Sequence, residues 1–67
     1  MFDLKRAIKR RAAFDDLTMK VVAARCEINP AHLSRLMRHN NCELETMLKL
    51  AHGFNLTLSE FVKEGEF

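Results

Sequence analysis

The sequence predicts an all-α fold: five short helices packed as one compact domain over residues 1–67. Three observations carry this expectation. Apolar residues recur at three- and four-residue spacing along the chain and nowhere alternate with the period of a strand. Helix-start signals stand at the required places, at Thr18, at Asn29-Pro30 and in the stretch TLSE, Thr57 to Glu60. Only two glycines and one proline occur in 67 residues, with no low-complexity tract, internal repeat or linker. A chain of this size lies near the lower limit for folding without crosslinks.

The first helix is expected over about residues 2–14, with Leu4, Ile8 and Ala12 as its buried stripe and Asp15-Asp16 as the turn that ends it. The second opens at Leu17-Thr18, where the threonine hydroxyl can accept from a first-turn amide, and ends near Glu27. Its inward face is Val22, Ala23 and Cys26, the small Ala23 allowing a close helix crossing. The third begins at Asn29-Pro30, a favoured cap followed by a residue whose missing N–H costs nothing at that position. Leu33, Leu36 and Met37 face inward there, and Ala31, His32, Ser34, Arg35 and Arg38 are left outside. His39, Asn40 and Asn41 end it, since asparagine tolerates the left-handed conformation. The fourth covers about 44–54, with Leu44, Met47, Leu48, Ala51 and Phe54 as an i, i+3, i+4, i+7 stripe and Asn55 in the left-handed position beyond. The TLSE capping box opens the fifth, with Leu58, Phe61 and Val62 apolar.

Several classes of protein fall away. Cys26 and Cys42 have no CxxC spacing, and Cys26 lies in an apolar helical pattern, so free thiols in a reducing compartment are expected. His39 and Cys42 have a ligand-like gap, but a zinc site takes four ligands, so no metal is expected. No cofactor is implied. No run approaches the roughly 20 apolar residues of a membrane span, and no signal peptide opens the chain, which points to the cytoplasm and to no membrane contact. An enzyme is disfavoured: there is no Gly-rich phosphate loop and no Ser–His–acid or paired-carboxylate set, and His32, His39 and His52 are scattered. The charge is uneven. Residues 1–38 carry nine Lys/Arg against four acids, net +5, and residues 39–67 carry two lysines against five glutamates, net −3. Two solvated faces would give this pattern; so would a basic side turned to a polyanion and an acidic side turned away.

The second and third helices are joined by only about three residues, Glu27-Ile28-Asn29, which is helix-turn-helix geometry over about residues 17–40. The outer face of the third helix is small, polar and basic, which suits the major groove of DNA.

At this point the chain resembles a known family. Residues 4–62, through "LTMKVVAARCEINPAHLSRLMRHNN" and then "LETMLKLAHGFNLTLSEFV", are similar to the lambda repressor/Cro-like (Xre-type) helix-turn-helix regulators. "NPAHLSRLM" alone also resembles the second element of an AraC-type domain, but such domains hold two motifs on a longer chain. The departures from the Xre-type pattern are informative. Met19 stands where relatives usually have Gln, Glu27 where they have a turn Gly, and Pro30 at the first recognition-helix position. A common Arg–Glu pair between helices one and three is replaced on both sides, by Ala12 and Met37; an apolar pair can replace a buried ion pair without loss of stability.

The resemblance implies a reading face of Pro30, Ala31, His32, Ser34 and Arg35. Arg35 is the leading candidate for base readout through guanine O6 and N7, and Ala31 could meet a thymine methyl. His32 could meet base or phosphate, or be a plain surface histidine. Phosphate contacts map to Thr18, Met19 and Lys20 at the start of helix two and to Asn29, Arg38, Asn40 and Asn41. Lys5, Lys9 and Arg10 are read as a solvated face that adds at most long-range attraction. The expected function is a sequence-specific transcriptional regulator, a small repressor of phage, plasmid or mobile-element type, binding double-stranded DNA as a homodimer on a palindromic operator. No small-molecule effector is evident. Leu58, Phe61 and Phe67 are the apolar candidates for the dimer contact, Phe61 being favoured as core. The alternative is a protein-binding module of the same fold, such as an antitoxin, antirepressor or adaptor, with weak or lost DNA readout.

Overall fold

The computed structural model describes residues 1–40 and 42–66. Five helices follow one another: α1 (Leu4–Phe14), α2 (Met19–Arg25), α3 (Pro30–His39), α4 (Leu44–Gly53) and α5 (Leu58–Gly65). The Cα radius of gyration is 10.3 Å. Among the described residues the one extended pairing is an isolated bridge, Phe2 antiparallel to Glu66. The all-α expectation holds. No helix among the described residues is long and apolar enough to cross a membrane.

The local start and stop signals act as read. The Thr18 hydroxyl accepts from the Val21 N–H and caps α2. Asn29 Oδ1 accepts from the Ala31 N–H at 2.8 Å, with Pro30 following as the first residue of α3. Thr57 and Glu60 form the full capping box of α5. Asn40 and Asn55 both take the left-handed conformation, φ 54° and 62°. Two boundaries differ from expectation. α1 begins at Leu4 rather than Phe2, because Asp3 caps it by accepting from the Arg6 N–H, while its own N–H donates to the Gly65 carbonyl at 2.9 Å. α2 ends at Arg25, so its connection to α3 is four residues, Cys26 to Asn29.

The core is Leu4, Ala7, Ile8 and Ala12 from α1, Val22, Ala23, Cys26 and Ile28 from α2 and its connection, Leu33 and Leu36 from α3, and Leu50, Ala51, Phe54 and Phe61 from the carboxyl half. Phe61 is its aromatic centre, stacked on Phe54 at 6.1 Å and meeting the edge of Phe2 at 6.2 Å. The α4 stripe is a correction. Leu50, Ala51 and Phe54 are buried and Met47 is half-buried, but Leu44 is 64% exposed and Leu48 48%. Two overlapping stripes exist in this helix, 44-47-48-51 and 47-50-51-54, and close packing at its carboxyl end selects the second. There a Cβ on Gly53 would collide with Cys26 Sγ and stand 3.0 Å from Cys26 Cα. Gly65 is needed for a similar reason, since a Cβ would lie 2.6 Å from the Asp3 carbonyl.

Both cysteines are free thiols. Cys26 donates to the Leu50 carbonyl at 3.8 Å, and burial pushes its pKa up from 9.0 to about 11, against a smaller opposing effect of Arg25. Two outcomes follow. Gly53→Ala should destabilise the domain by about 1–3 kcal/mol in denaturant titration, as overpacking of a filled site does, with partial recovery when Cys26→Ala is added. Because the folded thiol titrates above the unfolded one, its contribution is intact below the ordinary thiol range and lost as pH rises. Urea midpoints should therefore fall between pH 9 and pH 11 in the wild type, and fall less in Cys26→Ala.

Candidate nucleic-acid interface

The geometry of α3 is set by the four residues that precede it. Cys26 ends α2. Glu27 turns the chain in the left-handed conformation, φ 56°. Ile28 is buried, and its N–H donates to the Ala23 carbonyl at 2.9 Å. Asn29 then caps α3. The connection is thus pinned by two side chains in the core, Cys26 and Ile28, and by backbone bonds from Cys26, Glu27 and Ile28 into α2, and it holds α3 against α2.

α3 is amphipathic. Leu33 and Leu36 are buried and Met37 is half-buried, while Pro30, Ala31, His32, Ser34, Arg35 and Arg38 are all exposed. At about 3.6 residues per turn, Ala31, Arg35 and Arg38 share the face opposite the core. Ser34 lies on one flank of that face and His32 on the other. The two ion pairs among the described residues both belong to Arg11, with Asp15 at 3.3 Å and Glu64 at 3.6 Å. Arg35 and Arg38 take part in neither. The outer face of α3 therefore presents two exposed guanidinium groups and no acid.

The expected phosphate-contact residues divide. Thr18 and Lys20 are exposed at the start of α2. Met19, the first residue of α2, is half-buried and its side chain packs on the core, so any contact there falls to its backbone amide. Asn29 and Asn40 have structural tasks. Asn29 caps α3, and Asn40 Oδ1 accepts from the Leu4 N–H at 2.6 Å, tying the end of α3 to the start of α1. Arg38 is exposed in the last turn of α3, near Asn40. Asn41 lies outside the described residues.

Of the expected dimer residues, Phe61 is wholly buried in the core and has no surface to offer. Leu58 is half-exposed and lines a groove of about 510 Å³ with Leu48 and Leu56, edged by Arg25, Glu27, Glu45 and Lys49. Phe67 lies outside the described residues. Exposed Leu48 was hidden from sequence reasoning by its place in an apparent core stripe. Among the described residues no three His, Cys, Asp or Glu side chains gather as a metal site.

No family model matches the chain, and no curated protein is significantly similar to it.

A glutamate in the left-handed region is held there at a cost of about 1–2 kcal/mol. Glu27→Gly should therefore raise stability by up to about 1 kcal/mol, the flexibility of glycine in the unfolded chain offsetting the rest. Thermal unfolding checks this, and an unchanged or lowered midpoint would mean the turn is not strained.

Proposed function

We propose that this chain is a lambda repressor-like helix-turn-helix protein that binds duplex DNA, α2 and α3 forming the helix-turn-helix and α3 entering the major groove. The observation that carries the reading is the outer face of α3: Ala31, Arg35 and Arg38 exposed together on a helix whose approach is fixed by a pinned four-residue connection. An exposed guanidinium near mid-helix suits bidentate pairing with guanine, worth about 1–3 kcal/mol of discrimination. Ala31 offers a methyl group to thymine, and His32, Ser34 and Pro30 border the same surface. Arg38, Lys20 and Thr18 are positioned for phosphate contact, and Asn29 and Asn40 support them by fixing both ends of α3.

The activity follows as sequence-specific transcriptional regulation in the cytoplasm, most simply repression by occupancy of an operator. One short helix reads few base pairs, so a homodimer on an inverted repeat is part of the proposal. The groove between Leu48 and Leu58 favours it. Its rim carries two cations and two carboxylates, a set that can pair with itself across a two-fold axis.

A second reading, a protein-binding module of the same fold, is favoured by one observation: Leu44 of α4, which does not line that groove, is 64% exposed.

Selection from a randomised pool of duplex DNA separates the readings. Enrichment of an inverted-repeat motif is expected, with Arg35→Ala losing about tenfold or more in affinity and the base preference at one position. Absence of any enriched motif would sink the DNA-reading proposal and leave the protein-binding one.

A further inference from the structure

The two flanks of α3 carry opposite charge. On one flank lies an open cleft of about 280 Å³ between α1 and α3, lined by Lys5, Lys9, Ser34, Met37 and Arg38. On the other, a depression toward α4 is lined by His32, Leu36, Cys42, Glu43 and Thr46. The first holds three cations and a hydroxyl and no carboxylate; the second holds a carboxylate and no Lys or Arg. Lys5 and Lys9, four residues apart on α1, sit one above the other on the same face. Arg11, also on α1, behaves differently, being paired with Asp15 and Glu64.

A helix with side chains is about 10–12 Å across and the major groove is about 12 Å wide, so α3 fills the groove and the elements beside it face the phosphate walls. We infer that the cleft between α1 and α3 holds the phosphodiester backbone of the duplex, with Lys5, Lys9 and Arg38 as its cations and Ser34 as a hydroxyl donor to a phosphate oxygen. The inference rests on the DNA-binding reading above and extends it. It assigns α1 to the interface, turns Lys5 and Lys9 from a solvated face into contacts, and sets the asymmetry of docking: the duplex leans toward α1 and away from Glu43. Met37 is the apolar residue of the cleft lining.

The test compares Lys5→Gln/Lys9→Gln with Arg10→Gln/Lys63→Gln. The second pair removes the same net charge from exposed sites that do not line the cleft. All these side chains are exposed, and circular dichroism confirms that each variant is folded. Binding to a short labelled duplex of mixed sequence, and to any motif enriched from the pool, is measured from about 50 to 200 mM salt. The expected result is weaker binding of the cleft variant to every sequence alike, with the log–log salt slope reduced by about 1 for each lysine removed. The comparison variant should keep a slope near that of the wild type. Equal losses in the two variants would overturn the proposal, because general attraction would then account for both. An unchanged cleft variant would overturn it as well. Failure of the wild type to bind any duplex would instead overturn the DNA-binding reading itself, and the cleft contact with it.

Discussion

The connection between α2 and α3 is the constraint on which the rest of the molecule depends. α3 has ten residues, too few to hold itself as a helix in water, and its outer face buries nothing. Its position comes from Ile28, sunk in the core immediately before it, and from the Ile28 N–H bonded back to Ala23. Cys26, two residues earlier, is held against α4 through the Leu50 carbonyl and the bare backbone of Gly53. The same short segment therefore orients three helices. Because it is fixed from within, α3 can leave a full face free for contact without losing its angle.

The ends of the chain close the remaining gaps. Asn40 bonds the first amide of α1, Asp3 and Gly65 join the amino and carboxyl segments, and Phe2 meets Phe61, itself stacked on Phe54, in an edge contact. Arg11 adds a clamp from α1 to Glu64 of α5, partly exposed and so of small energetic weight, and its guanidinium lies 4.5 Å over the Phe14 ring. α1 is thus held at its start by α3 and along its length by α5. This is how 67 residues enclose a core with one buried free thiol, Cys26, and no crosslink among the described residues.

What could be read from the sequence was what local chemistry decides. Thr18, Asn29-Pro30 and Thr57-Glu60 start helices because side chains satisfy first-turn amides a few residues away. Asn40 and Asn55 stop helices for a reason contained in their own backbone preference. The inward faces of α1, α2 and α3 were legible for the same reason, though Ala7 and Ile28 were missed as core. The register of α4 was not legible, because two apolar stripes overlap and a contact with Cys26, far away in sequence, selects between them. Nor was the second task of Asn40, whose partner is 36 residues distant. The candidate site divides on the same line. The exposed residues of α3 were found from helical spacing, while the neighbourhood of Lys5 and Lys9 with Ser34 and Arg38 exists only once α1 and α3 are packed together.

The departures from the Xre-type pattern acquire a common sense on the proposed reading. Pro30 has no N–H, and Asn29 already occupies the amide of Ala31, so the first turn of α3 has few donors left for a base or a phosphate. Met19 packs inward, so the start of α2 lacks the side-chain amide that would brace that first turn from outside. On the proposed reading, contact shifts along α3 toward Arg35 and Arg38, whose donors are carried on long side chains and need no backbone help. Arginine suits that shift, since its planar fork fixes the geometry of both bonds at once. A reader that relies on one or two guanidinium groups discriminates few base pairs, and the proposed backbone contacts and second copy would make good the shortfall. On that reading the basic flank of α1 and the groove beside Leu48, lined by charges of both signs, stand where those two requirements fall.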